Sequence, residues 1–240
     1  MKYGFIRVGA AVPKLKVADC HYNSHEIIKM IKKGEEKAIK ILVFPELSIT
    51  SYTCGDLFYQ DVLREDAFLC LYKILDETKD LDIISLLGIP VLKDNQLFNC
   101  AVVIQRGKIL GVVPKTYIPN YSEFYEWRCF SSSKNSIWDT INILGQEVPF
   151  GTDLLFQEEK NKELCFGIEI CEDLWSVAPP SCFQAMHGAT ILFNLSASNE
   201  IIGKYEYRRE LVSQQSARCI AGYVYSSSGI GESTTDLVFG

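Results

Sequence analysis

Apolar and polar positions along this chain follow two rhythms. Short β-rich apolar runs occupy residues 4–12, 40–44, 82–91, 97–105, 108–113, 163–170, 190–195 and 222–227, and each reads as a strand. The run at 40–44 stops at Pro45, and Arg106-Gly107 makes a hairpin turn between two of the others. Between these runs the apolar period lengthens. Ile27, Ile28, Ile31, Ala38 and Ile39 predict a helix over 24–40, and 204–220 predicts another. Asp56 is placed to cap a helix through Leu57, Val62, Phe68, Leu71 and Leu75. The aromatic stretch 119–127 reads as irregular or a short helix, and 234–240 as the start of a strand or hairpin. Strands alternating with helices, with hairpins among them, indicate an α/β layered domain. No Pro/Gly/Ser-rich linker divides it, so it reads as one domain.

Composition narrows the class. For 240 residues, size scaling gives roughly 11,000 Å² of folded surface against about 39,000 Å² unfolded, enough for a large core without staples. Aromatic content of 12% and a mean hydropathy of +0.06 exclude disorder as the main state. A net charge of -6 lacks the basic footprint of a nucleic-acid binder. No uncharged apolar run approaches the ~20 residues of a spanning helix, and the stretch between Arg7 and Lys14 is too short for a signal-peptide core. Nine cysteines, an odd number without a CxxC pair, suggest reduced thiols and a cytoplasmic location. Cys20, His21 and His25 fit no familiar zinc order and read as packing and surface positions of one helix.

Three residues share a placement. Glu46, Lys115 and Cys171 each follow a short apolar β run, and strand ends are where open sheets present functional side chains. If the three strands are parallel neighbours, the groups converge at one edge. Cys171 stands where a strand passes towards a helix, and the positive end of a helix favours the thiolate. Glu46, between Pro45 and Leu47, is placed for burial that suits a carboxyl to take the thiol's proton. Lys115 can steady both anions and hydrogen-bond an oxyanion. Together they form a set for acyl transfer through a thioester. Each alone has an ordinary reading: a packed cysteine, a capping glutamate, a surface lysine. A Cys-His dyad is weaker, because His21, His25 and His187 lie on helical stretches away from strand ends.

The blocks around these residues carry a resemblance. FPEL (44–47), PKTY (114–117) and GIEICEDLW (167–175) resemble, in order and separation, the three signature blocks of the nitrilase (carbon-nitrogen hydrolase) superfamily. SITSYTCGDLF (48–58), PNYSEFYEWRCF (119–130), FGTDLLF (150–156), NLSAS (194–198) with Arg208-Arg209, and STTDLVFG (233–240) are similar to one branch, the glutaminase domains of glutamine-dependent NAD⁺ synthetases. The resemblance covers essentially the whole chain and implies an α+β fold, a four-layer α-β-β-α sandwich. It implies Glu46 as general base, Lys115 as stabiliser of the tetrahedral intermediate and Cys171 as nucleophile, with the N–H of Glu172 completing the oxyanion hole. Tyr121, Ser198 and Lys204 match the positions that hold the α-amino and α-carboxylate groups of glutamine. Tyr52, Phe124 and Glu126 are expected to line or brace the pocket.

The implied reaction releases ammonia from L-glutamine for ATP-dependent amidation of nicotinic acid adenine dinucleotide. This domain would need no cofactor. ATP and Mg²⁺ belong to a synthetase domain reached through an ammonia tunnel, and homo-oligomers are expected. No SGGxDS-type pyrophosphate loop is present, and Gly229-Ile230-Gly231-Glu232-Ser233 lacks a basic anchor for phosphate. The synthetase domain is therefore read as absent, and residues 1–240 as a hydrolase domain that lacks its last strands and so leaves an open sheet edge. The alternatives are a free-standing amidase or nitrilase for another small amide, and a non-catalytic assembly module.

Overall fold

Strand pairing sorts the apolar runs into two sheets. The computed structural model describes residues 5–137, 139–159, 161–234 and 237–239. One sheet joins β1 (Val8–Ala10), β2 (Ile41–Val43), β3 (Ile84–Lys93), β4 (Gln96–Gln105) and β5 (Lys108–Pro114) in that order. β1, β2 and β3 run parallel, while β3–β4 and β4–β5 are antiparallel hairpins. After a small hairpin of β6 (Thr140–Ile143) and β7 (Gln146–Pro149) come β8 (Phe156–Glu158) and β9 (Asn161–Ile170). With β10 (Ile191–Ser196) and β11 (Gly222–Ser227) they form the second sheet, ordered β11-β10-β9-β8, with β9, β10 and β11 parallel.

Side chains alternate across each strand, and this alternation builds the layers. Ile41, Val43, Leu86, Ala101, Val103 and Val113 face Phe166, Ile168, Ile170, Phe193 and Leu195, so the two sheets close one core between them. The opposite face of the first sheet (Leu42, Leu87, Ile89, Val91, Phe98, Val102) packs against helices α1 (Cys20–Glu36) and α2 (Asp61–Glu77). Strands buried on both faces read as nearly unbroken apolar runs, which is why the sequence marked them clearly. The outer face of the second sheet meets α3 (Pro180–Met186) and α4 (Lys204–Cys219), and there the apolar cluster is only Ala189, Leu192 and Ala221. The architecture is a four-layer α-β-β-α sandwich, as the resemblance implied.

Several boundaries differ from the sequence reading. The strand expected at 4–12 contracts to three residues, the length that pairs with β2. α1 begins at Cys20 because Asp19 caps it, accepting from the Tyr22 N–H at 3.0 Å, and it ends before Ala38, whose φ of 55° leaves the helical region. Asp56 caps no α-helix. It sits in a 3-10 turn (Gly55–Tyr59) and pairs with Arg128 at 2.6 Å, while α2 starts after Gln60. α3, started by Pro180 at its first position, ends at its cap residue His187, which the sequence reading put on a helical stretch without bounds, and the β6–β7 hairpin was not legible in the pattern. Of the expected hairpin at 234–240, the described part is a single antiparallel bridge between Asn199 and Phe239, and residues 235, 236 and 240 lie outside the described residues. All nine cysteines are free thiols. Among the described residues, no helix is long and apolar enough to cross a membrane and no group of His, Cys, Asp or Glu could hold a metal ion.

Candidate active site

Glu46, Lys115 and Cys171 do not come from three neighbouring strands. Glu46 follows β2 and Lys115 follows β5, both in the first sheet, while Cys171 follows β9 in the second. The sandwich brings the strand ends together across its inner core.

The loop carrying Glu46 rests directly on β3. A Cβ on Gly88 would stand 2.1 Å from the Leu47 nitrogen and 2.8 Å from the Pro45 oxygen, so only glycine lets the loop lie there. The Gly88 N–H donates to Ser48 Oγ at 3.2 Å, and the Ile49 N–H donates to the Gly88 carbonyl at 3.1 Å. Glu46, fully buried, accepts from Lys115 Nζ and Asn99 Nδ2, both at 2.6 Å, on one oxygen and from the Ala197 N–H at 3.0 Å on the other. Lys115 Nζ also reaches Glu126 Oε1 at 2.7 Å, which in turn accepts from Tyr52 Oη at 2.8 Å. Burial works against the Lys115 ammonium, but Glu126 and Glu46 together hold its pKa well above the ordinary lysine value. Burial pushes Glu126 up to about 7 against the pull of Lys115.

Cys171 opens a 3-10 turn (Cys171–Trp175) with φ 46°, an αL conformation that a non-glycine residue seldom adopts. Its N–H donates to Asn194 Oδ1 at 3.1 Å. Asp173 ties this turn to the Lys115 loop, accepting from the N–H groups of Ile170, Thr116 and Tyr117 at 2.8–3.0 Å. On β9, Gly167 gives space to Gln184 of α3, whose Oε1 lies 2.3 Å from where a Cβ would be. The sequence expectation of a thiolate favoured by a helix end meets a different setting. The turn is only five residues of 3-10 helix, and burial, then the charge of Glu46, push the Cys171 thiol well above its usual range, with Lys115 pulling it back. The resting group is therefore a thiol that needs a base.

A cavity of about 510 Å³ opens onto Cys171. Tyr121, Phe124, Glu172, Ser198 and Lys204 line it with the thiol. Tyr121 Oη donates to the Glu172 carboxylate at 2.9 Å. Lys204 Nζ lies between the rings of Trp175 and Phe124, 5.4 and 5.7 Å from their centroids, and donates to Asn199, which is held by Glu123. Ser198 Oγ is buried without a hydrogen-bond partner. Tyr52 does not line this cavity. It stands behind Glu126 in a neighbouring space of about 290 Å³. Arg208 is buried and pairs with Glu200, while His21, His25 and His187 line no part of the Cys171 cavity.

Sequence reasoning passed over Asn99 and Asn194. Asn99 bonds Glu46 and lies 3.5 Å from Glu126, and Asn194 holds the Cys171 N–H. Both interrupt strands that are otherwise apolar, LFNCAVVI and ILFNLS. A lone amide inside a doubly buried strand must find polar partners, and that signal was available.

The carbon-nitrogen hydrolase family profile matches residues 7–240. The glutamine-dependent NAD(+) synthetases of Mycobacterium tuberculosis and Mycobacterium bovis are 40% identical over 99% of this chain and 35% of their own length. The chain thus spans about a third of these relatives. The crystal structure of a glutamine-dependent NAD(+) synthetase from Cytophaga hutchinsonii superposes with a TM-score of 0.82 at 31% identity, covering 93% of this chain and 36% of that one. An amidase from Nesterenkonia sp. shares the fold at 14% identity, with a TM-score of 0.77 over all of this chain and 81% of the amidase.

Proposed function

We propose, from the premise that this chain belongs to the carbon-nitrogen hydrolase family, that it is a glutaminase unit. It hydrolyses the side-chain amide of L-glutamine and supplies ammonia to an ATP-dependent synthetase unit that amidates nicotinic acid adenine dinucleotide. The observation that carries the chemistry is the buried pair of Glu46 and Lys115, 2.6 Å apart, converging with Cys171 from the opposite sheet.

Glu46 takes the Cys171 proton as sulfur attacks the amide carbon. The developing oxyanion is held by Lys115 Nζ and the Glu172 N–H. Collapse breaks the C–N bond, the proton on Glu46 passes to the leaving nitrogen, and ammonia departs from a thioester on Cys171. A water molecule, deprotonated by the same Glu46, hydrolyses the thioester and frees glutamate and the thiol. Glu126 and Asn99 keep Lys115 and Glu46 in place through this cycle. The cavity supports an α-amino acid as substrate. Lys204 offers an ammonium to the carboxylate, Glu172 and Tyr121 offer acceptors to the α-ammonium, and the unpartnered Ser198 hydroxyl is free to bond either group. Phe124 supplies an apolar wall.

A glutamine-mimicking diazoketone tests this reading. Intact mass and peptide mapping are expected to show one adduct, on Cys171, prevented by glutamine, absent in Cys171→Ala and slowed at least ~100-fold in Glu46→Ala. Labelling that glutamine leaves untouched would instead favour a different amide substrate. Labelling spread evenly over the cysteines would overturn the assignment of the nucleophile.

A further inference from the structure

The outer face of the second sheet carries polar side chains that the reaction above does not use. Ser196 of β10 is fully buried, and its hydroxyl donates to Cys171 Sγ at 3.2 Å. The same oxygen lies 2.5 Å from Tyr225 Oη on β11. Ser196 has a single proton. With that proton committed to sulfur, the contact to Tyr225 is a hydrogen bond only when the phenol donates. The chain therefore has one direction, from Tyr225 Oη–H to Ser196 Oγ–H to Cys171 Sγ. Its donor occupies a lone-pair side of the sulfur, which leaves the S–H free to turn towards Glu46. When that proton leaves, the contact becomes charge-assisted and shortens.

We propose that Ser196 and Tyr225 are positioning residues for the nucleophile: a two-hydroxyl relay that orients the Cys171 thiol towards its base and stabilises the thiolate as it forms. The proposal rests on Cys171 being the nucleophile of the reaction above, though not on glutamine being the substrate. Burial and Glu46 raise the thiol, and the Ser196 hydrogen bond is one of the influences opposing them. The other groups whose charges reach Cys171 are Lys115 and Glu126 from the first-sheet side, and Tyr52, Tyr121, Lys204 and Tyr225 around it, with Arg208 of α4 acting on Tyr225. Of these, only Tyr225 bonds to the Ser196 hydroxyl and loses a partner when it is removed, which is why Tyr225→Phe and the double variant are compared with Ser196→Ala. A cross-strand Ser–Tyr pair that served only the sheet would leave the sulfur's ionisation untouched.

The test is the pH dependence of Cys171 alkylation by iodoacetamide, read by peptide mapping on the whole chain, with thermal melts recorded beside it. Wild type, Ser196→Ala, Tyr225→Phe and the double variant are compared. Ser196→Ala is expected to move the alkylation midpoint up by about one pH unit, roughly tenfold slower labelling at fixed pH on the low side. Tyr225→Phe, which removes one oxygen and keeps the ring, is expected to move it by less. The double variant is expected to match Ser196→Ala, because the phenol acts only through the serine, whereas independent structural effects add. If Ser196→Ala fails to fold, Tyr225→Phe alone decides. A folded Tyr225→Phe with the wild-type profile, or additive shifts in the double variant, overturns the relay. Shifted profiles in a protein that ignores the diazoketone would sink the glutamine reading and leave the relay standing. Glutamine-protected labelling with superimposed profiles would do the reverse.

Discussion

The two helical layers meet their sheets in opposite ways. α1 and α2 press Ile27, Ile31, Leu71 and Ile74 onto Leu87, Ile89 and Phe98, an interface of interlocking hydrocarbon. α3 and α4 instead bury Gln184, Arg208 and Gln215. Beneath them Glu169, Asn194 and Ser196 lie at 0–1% exposure; Tyr223 links the first two, donating to Glu169 and accepting from Asn194 Nδ2 at 3.1 Å, and Tyr225 bonds Ser196. Dispersion contacts are many and non-directional, so they supply cohesion and leave each atom some latitude. Hydrogen bonds are few and angular, so they fix where an atom sits. Cys171, the proposed nucleophile, lies on the side held by hydrogen bonds. In this sandwich one layer carries most of the stability and the other carries most of the aim.

The largest effect that separates the layers is expected on the polar side. Asn194→Leu leaves the buried Cys171 N–H without an acceptor and removes a partner of Tyr223. The proposed glutamine hydrolysis should fall at least ~100-fold, while the melting temperature moves by only a few degrees, the cost of about one unsatisfied group. A melt shift as large as a core deletion, with hydrolysis intact, would erase the distinction. On the apolar side, Ile74→Ala, at a fully buried position of α2, should cost about 2–5 kcal/mol in urea unfolding and leave the labelling rate of Cys171 in the folded protein unchanged.

A smaller effect marks the seam between the layers. Glu232, after β11, accepts from the N–H groups of Tyr52 and Thr53, while its second oxygen is buried with no partner. Burial pushes this carboxyl up to about 8, against about 4.3 for an unfolded glutamate. A folded value above the unfolded one contributes stability that is full below about pH 4.3 and is lost as the pH climbs through 8. The wild-type stability should therefore decline between pH 5 and 9 by about a few kcal/mol, read as a falling melting temperature. Glu232→Gln keeps the accepting oxygen and should flatten that decline. Parallel melting curves for the two proteins would mean that the pH response comes from elsewhere.

Much of this contrast was legible beforehand on one side only. The apolar layer announced itself, because strands such as LVFP and LLGIPV are buried on both faces and α1 shows its isoleucines at helical spacing. Glu46, Lys115 and Cys171 could be picked out because each closes an apolar run. The same rhythm could not tell that two of them belong to one sheet and the third to the other, because period two gives a face and not a partner strand. The polar layer hid for a different reason. Arg208 and Gln215 on a charged helix look like solvent-facing residues until a sheet bearing Glu169 and Asn194 is laid beneath them. Burial of a polar side chain is decided by partners far away in sequence, such as Gln215 with Ser181 at 2.9 Å, and no local pattern encodes it.

Gly88 has a meaning for how such a protein can change over generations. Because the Glu46 loop lies against bare main chain at Gly88, the loop takes its seat from a backbone contact, while Asn99 and Lys115 hold the Glu46 carboxylate itself. Core residues of the first layer can drift among leucine, isoleucine and valine without moving that point of contact. One backbone point of contact thus frees its neighbourhood to vary, and a designer seeking a more durable version of this hydrolase has the aliphatic layer to redraw so long as Gly88 keeps no side chain.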